Sequence, residues 1–423
     1  MSNKAKDLRP RGLRPMKSIE ISETNVKPRF ILMIVFLVIG AIALGGFVWS
    51  LLTTDPGWTT VEVASSEKNC SGDFIFTYCL GEGDLSPTAE NKQVNALYTD
   101  ATVRAYKLFN KYESFAGVKN IYYINSHPGE IIELDPILYN AFSVAIEHGG
   151  RYVYLSSLYA EYEGLFFGTD SSAIVEDSDP YVNEEVAEHF ARLAEHAANE
   201  DSIKLELLGD NKVRLVISEE YKKYAEENGV EVFVDFSRAT NAFIIDYLAD
   251  TMKAGGFTKG CISSYDGYVR NLDDSDTEYS LNIFDRQGQY IYNAAKMNYS
   301  GARAIVSLRS FPIGELDRYD YYVSPVSGDI IPPYIDITDG LYKTATASLT
   351  SYSSDSGCAE ILMKLLSAYV DTELDTEALA EYSEIGVWSV WLDGQTICYN
   401  DKNLNLSDVY KDENIVYKTE YVE

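Results

Sequence analysis

Cationic side chains are scarce in this chain: 35 Lys and Arg stand against 65 Asp and Glu, a formal net charge of -30 over 423 residues. A surface of that sign repels phosphate backbones, so no nucleic-acid role is expected. Histidine is scarcer still, with four residues, and none has the Ser or Cys neighbours of a catalytic triad. His189 and His196 are seven apart on one face of an expected helix, Asn183–Asn199, but lack a third ligand and are expected to form an exposed stripe. The five cysteines (Cys70, Cys79, Cys261, Cys358, Cys398) contain no C-x-x-C pair, which argues against a zinc ribbon or a dithiol redox site. Their odd number leaves at least one thiol free or bridging molecules, and Cys70 and Cys79 are close enough in sequence to clip a hairpin. The acidic run Asp273, Asp274, Asp276, Glu278 lacks the Gly and distal Glu of a calcium loop and is expected to be solvated. No internal repeat is present.

What the chain does have is 46% hydrophobic and only 24% charged residues, the balance of a packed body rather than a disordered one. One long apolar run stands out. Phe30–Leu52 carries no charge over 23 residues, long enough to cross a bilayer core. Residues 1–29 before it hold eight Lys or Arg against three acids, which places the N-terminus in the cytoplasm and the rest outside. The run is too long for a signal-peptide core and no A-x-A site follows, so an uncleaved single-pass anchor is expected. The expected organisation is a basic tail at 1–29, a transmembrane helix at 30–52, a membrane-proximal segment at 53–87, an extracytoplasmic domain at 88–400 and a C-terminal tail at 401–423.

Within the domain, Ser86-Pro87 opens a helix reaching Phe115, and Pro136–His148 reads as another. Strands are expected at Ile121–Ile124, Ile203–Leu208, Val213–Ile217, Val230–Phe236, Tyr279–Phe284 and Ala304–Leu308. A hairpin is expected to turn on Asp393-Gly394. The most organised stretch is 235–267. Ser237 and Thr240 are candidate N-caps, Ile245, Leu248, Ala249 and Met252 recur at helical spacing, and Gly255-Gly256 end the helix before a second strand. Strands and helices alternate without a strict βαβ rhythm, which predicts an α+β fold of mixed sheets with packed helices.

Four segments, in this order, carry a resemblance. They are DFSRATNAFIID at 235–246, ISSYDG at 262–267, YYVSPVSG at 321–328 and CAEILMKLL at 358–366. Over roughly residues 88–400 their order and spacing resemble the FAD:protein FMN transferase (ApbE) family, a likeness specific in combination and weak in each piece. The resemblance implies a flavin-transferase-like ectodomain that takes FAD with Mg2+ and attaches FMN to a Ser or Thr of an exported acceptor. In the family motif D-x-G-G-I-A-K-G-x-x-x-D, Asp235 and Asp246 match the ends, while Ser237, Arg238 and Asn241 occupy the Gly, Gly and Lys positions. In H-I-I-D-P-R-T-G, Tyr321 replaces the catalytic His and Ser324 the Asp, with Pro325, Ser327 and Gly328 kept or conservative. In A-D-A-L-A-T, whose Asp and Thr hold the metal, Glu360 and Lys364 stand at those two positions.

Phosphoanhydride transfer needs a cation on the phosphates and a group that activates the attacking hydroxyl. With the His, Asp, Lys and metal Thr positions all changed, the expectation is a pseudoenzyme that binds flavin or nucleotide, or serves as an accessory scaffold. Asp235, Asn241, Ser327, Gly328 and Lys364 are the candidate cofactor-binding residues and Glu360 is the one candidate metal ligand. The alternative is an active Mg-dependent FMN transferase in which Asp246, Asp266 or Tyr321 performs the chemistry. A second alternative is a surface adaptor whose Tyr-rich faces, drawn from 33 tyrosines, bind protein or glycan.

Overall fold

The strand Arg303–Arg309 explains the layering, because its side chains divide between two cores. Ala304, Val306 and Leu308 join a helix-packed core, whereas Ile305 joins a second core on the opposite face. Successive strand residues point to opposite faces, so one central strand supports both layers. The computed structural model describes residues 54–166, 179–314, 321–323 and 329–423. Residues 55–423 form one compact unit. The expected membrane span at 30–52 lies outside the described residues; among the described residues no helix is long and apolar enough to cross a membrane.

The main sheet has nine strands, in the order Gly57–Thr60, Phe74–Leu80, Gly260–Ser264, Tyr268–Asn271, Arg303–Arg309, Ser348–Ser353, Trp388–Asp393, Thr396–Tyr399 and Lys418–Tyr421. Neighbours are antiparallel except the last pair, which is parallel. The sheet therefore begins in the segment expected to precede the domain and ends in the expected tail. Ser348–Ser353 is buried throughout despite its hydroxyls. Ser351 shares a hydrogen bond with Ser389 at 2.7 Å and Thr350 with Ser307 at 3.1 Å, so the polar strand is satisfied inside the sheet. One face is covered by the helices Pro87–Leu108, Thr240–Ala254 and Cys358–Tyr369. The other packs against a three-stranded sheet of Tyr279–Gln287, Tyr290–Tyr299 and Asn405–Ser407. A third sheet joins Ile132–Glu133, Lys212–Ile217 and Ile203–Gly209. Mixed sheets with packed helices make this an α+β fold, as the sequence predicts.

Thr240–Ala254 buries Ile245, Leu248, Ala249 and Met252 completely. Each large side chain among them contributes about 1.5–3 kcal/mol by leaving water. Its N-terminus differs from expectation, since no side chain caps it. Ser237 instead bonds Asp235, and the Thr240 hydroxyl donates to the Ser237 carbonyl at 2.8 Å. Ser86 does cap its helix, its hydroxyl accepting from the Ala89 N–H.

Two expected strands change character around one residue pair. Ile121–Ser126 is a helix, because Asn120 caps it through the Tyr123 N–H at 3.0 Å and Ile121 and Ile124 share one buried face. Val230–Phe236 forms no strand. The Asn125 side chain takes the place of a neighbour, accepting from Phe233 and Val234 N–H at 2.9 and 3.0 Å and donating to the Val234 carbonyl at 2.9 Å.

All five cysteines are free. Cys70 is buried with its thiol donating to the Thr102 carbonyl, away from any bridge to Cys79. The histidines at 189 and 196 do not form an exposed stripe. His196 is 3% exposed and stacks on Tyr221, and His189 is held between the Glu161 carboxylate and the Tyr224 hydroxyl. Asp273 of the acidic run is buried rather than solvated, accepting from Tyr279, Ser275 and Lys259.

Candidate functional site

Asp235 begins the site. It is 1% exposed, with the Lys111 ammonium at 2.9 Å and both the N–H and the hydroxyl of Ser237 bonded to it at 2.8 and 2.6 Å. Burial works against its charge, but Lys111 and Ser237 hold its carboxyl below the usual range. Ser237 adopts φ +47, a left-handed conformation that favours glycine, at the position where the family motif has one. The bonds to Asp235 sustain that conformation and set the direction of the short 3-10 turn Ser237–Ala239, which carries Arg238. Asn241 follows in the first turn of Thr240–Ala254.

Asp266 arrives from the tight turn between Gly260–Ser264 and Tyr268–Asn271. Gly267 in that turn has φ +105, and a Cβ there would lie 2.4 Å from the Ser307 carbonyl oxygen. The close approach fixes the turn and brings Asp266 to Asn241, whose amide donates to it at 3.1 Å. Tyr321 completes the group, its hydroxyl donating to the Arg309 carbonyl at 3.2 Å.

Arg238, Asn241, Asp266, Arg309 and Tyr321 line one cavity of about 310 Å³ together with Tyr265, Tyr268 and Tyr334. Asp73 and Glu163 also reach it. The Tyr334 hydroxyl is pushed up by burial and stays protonated, as a donor or packing surface. Arg309, Tyr334 and Glu163 were not singled out from the sequence. Only Arg309 carries a signal there, as a charge closing an apolar strand.

The remaining candidates stand elsewhere. Asp246 accepts from the N–H groups of Cys358 and Ala359 at 2.9 and 2.8 Å and pairs with Arg270. Its oxygens tie the start of Cys358–Tyr369 to the neighbouring helix. Asp246, Arg270 and Glu360 border a second cavity, of about 570 Å³. Glu360 and Lys364 form an i,i+4 ion pair at 2.5 Å, and although burial opposes it, Lys364 holds the Glu360 carboxyl below its ordinary value. Lys364 does not line the cavity of Asn241 and Tyr321. Ser327 and Gly328 lie outside the described residues.

These residues do not fit a magnesium ion. A hard divalent cation takes several oxygen donors, often carboxylates, whereas the one acid at the family's metal position is already neutralised by an ammonium. Among the described residues no group of three His, Cys, Asp or Glu could hold a metal.

No protein-family model and no curated protein matches the chain by sequence. Solved structures do match in shape. The ApbE protein of Thermotoga maritima superposes with a TM-score of 0.53 at 12% identity, over 84% of this chain and 97% of that one. The flavin transferase ApbE from Vibrio cholerae gives 0.52 at 14% identity, over 84% and 98%. At this identity the likeness speaks to architecture, and the chain has an ApbE-like fold.

Proposed function

We propose that this domain binds a flavin or related nucleotide without transferring it, anchored by residues 30–52 with the domain outside the cell. The observation that carries the reading is the pairing inside the cavity. The positions where the family has its lysine and catalytic histidine hold Asn241 and Tyr321, each engaged with a protein partner: Asn241 with Asp266, and Tyr321 with the Arg309 carbonyl. Neither is arranged as a general base. An amide neither takes up nor gives up a proton appreciably near neutrality, and a tyrosine hydroxyl ordinarily titrates near 10.

What the cavity offers is recognition. Its tyrosine rings give faces for a planar heterocycle, and Asn241 with Asp266 supplies donors and acceptors for a ring edge. A volume of about 310 Å³ falls at the low end of the roughly 300–1,000 Å³ typical of ligand pockets. The test is incubation of the full-length chain with FAD, Mg2+ and a Ser/Thr acceptor, followed by denaturing electrophoresis. Flavin fluorescence is expected to stay off the protein bands, and a covalently fluorescent acceptor would instead establish an active FMN transferase.

A further inference from the structure

Tyr334 lines the cavity and keeps only 5% of its surface exposed. Its backbone is held on both sides. The Tyr334 carbonyl accepts from the Lys343 N–H at 3.2 Å, and the next N–H, that of Ile335, donates to the Tyr159 hydroxyl at 3.1 Å. The ring packs edge-on against Tyr369, with centroids 5.5 Å apart. Backbone and ring are therefore fixed before a ligand arrives, so a contact made there costs little in lost rotamer freedom.

The hydroxyl lacks what the ring has. No hydrogen bond engages it among the described residues. Burial, reinforced by the neighbouring tyrosines, holds the phenol protonated, which makes it a donor without an acceptor. A buried donor left in that state is costly, and such groups are completed by a ligand or by water. Packing against Tyr369 would be served equally by phenylalanine, which carries no such cost. A flavin ring system supplies the missing partner, since its edge bears carbonyl oxygens and unprotonated nitrogens that accept hydrogen bonds.

We propose that the Tyr334 hydroxyl contacts the ligand, donating to a carbonyl oxygen or ring nitrogen of the bound heterocycle and so selecting a flavin by its ring system. The proposal rests on the flavin-binding reading above and adds the side chain that reads the ring.

The experiment compares the full-length chain in detergent with its Tyr334→Phe variant, each melted without ligand and titrated with riboflavin by fluorescence and absorbance. Without ligand the variant should melt at the wild-type temperature or above it, because the substitution keeps the ring and removes an unpartnered hydroxyl. Riboflavin affinity should fall about fivefold to a hundredfold, because the ring acceptor is then buried without a donor. The long-wavelength absorbance band of bound riboflavin should differ between the two proteins. A lowered melting temperature would show the hydroxyl bonded within the protein, and equal affinities with the same band would show it out of contact. Either result overturns the assignment of Tyr334 and leaves flavin binding standing. Failure of the wild-type chain to bind riboflavin overturns the two readings together.

Discussion

Gly357 packs against Asp246 so closely that a Cβ on the glycine would lie 2.4 Å from the carboxylate Oδ2. The contact exists because Asp246 reaches across to bond the N–H groups of Cys358 and Ala359, and only a residue without a side chain lets it approach. Gly357→Ala should cost about 1–3 kcal/mol through overpacking. Asp246→Ala should cost about 3–5 kcal/mol, because it removes the nearer acid of buried Arg270, leaving Asp250 at 3.5 Å, and frees two helix N–H groups. The two losses should not add, since removing the carboxylate makes room for the methyl group. Urea midpoints at unchanged slope measure all three variants, and strict additivity would contradict the contact.

The Asp235–Lys111 pair gives a pH prediction. The Asp235 carboxyl is held below its unfolded value of about 3.9 and the Lys111 ammonium is raised above its unfolded value of about 10.4, so the pair contributes fully between those limits. Its contribution is lost on acidification as pH falls from the unfolded Asp value through the lower folded one. In Lys111→Met the buried carboxyl loses its cation and its folded value rises. The variant's deficit should therefore be largest near neutrality and shrink as pH falls. Denaturation midpoints from pH 3 to pH 7 decide this, and a deficit independent of pH would remove Lys111 as the source.

Much of the framework was legible because it rests on local rules. The burial of Ile245, Leu248, Ala249 and Met252 follows from their spacing, and Asp393-Gly394 turns the hairpin as expected, with Gly394 at φ +56. Ile121–Ser126 is helical where its β-branched composition predicts a strand, because its cap, Asn120, lies outside what β-propensity reads. Val230–Phe236 lacked a strand neighbour because Asn125, more than a hundred residues earlier, supplies the bonds.

The site was half legible for a similar reason. Asn241, Asp266 and Tyr321 converge as the motif order implies. Asp246 and Lys364 do not join them, because i,i+4 pairing and helix capping claim their charges. Arg309 shows in the sequence only as a charge closing an apolar strand, and its place on the cavity wall follows from strand register.

Gly267→Ala should destabilise the domain by at least about 2 kcal/mol, combining left-handed strain with a clash against the Ser307 carbonyl. Because the same turn carries Asp266 and borders Arg309, flavin affinity should fall even at temperatures where the variant remains folded. Thermal melting and a flavin titration on one preparation separate the two effects; a variant with native affinity would show that the turn does not shape the cavity.

Tyr321→Phe removes the bond to the Arg309 carbonyl, and the loss of that bond should cost about 1 kcal/mol of stability. Product formation from FAD should stay at background in this variant. A fall in any measurable transfer rate on this substitution would assign the hydroxyl a chemical role.

A domain that holds a flavin nucleotide without cleaving it returns FAD intact. The measurement is chromatography of FAD recovered after prolonged incubation with a stoichiometric amount of the full-length chain and Mg2+. Intact FAD with no AMP is the predicted result; AMP released in proportion to protein and time would contradict it.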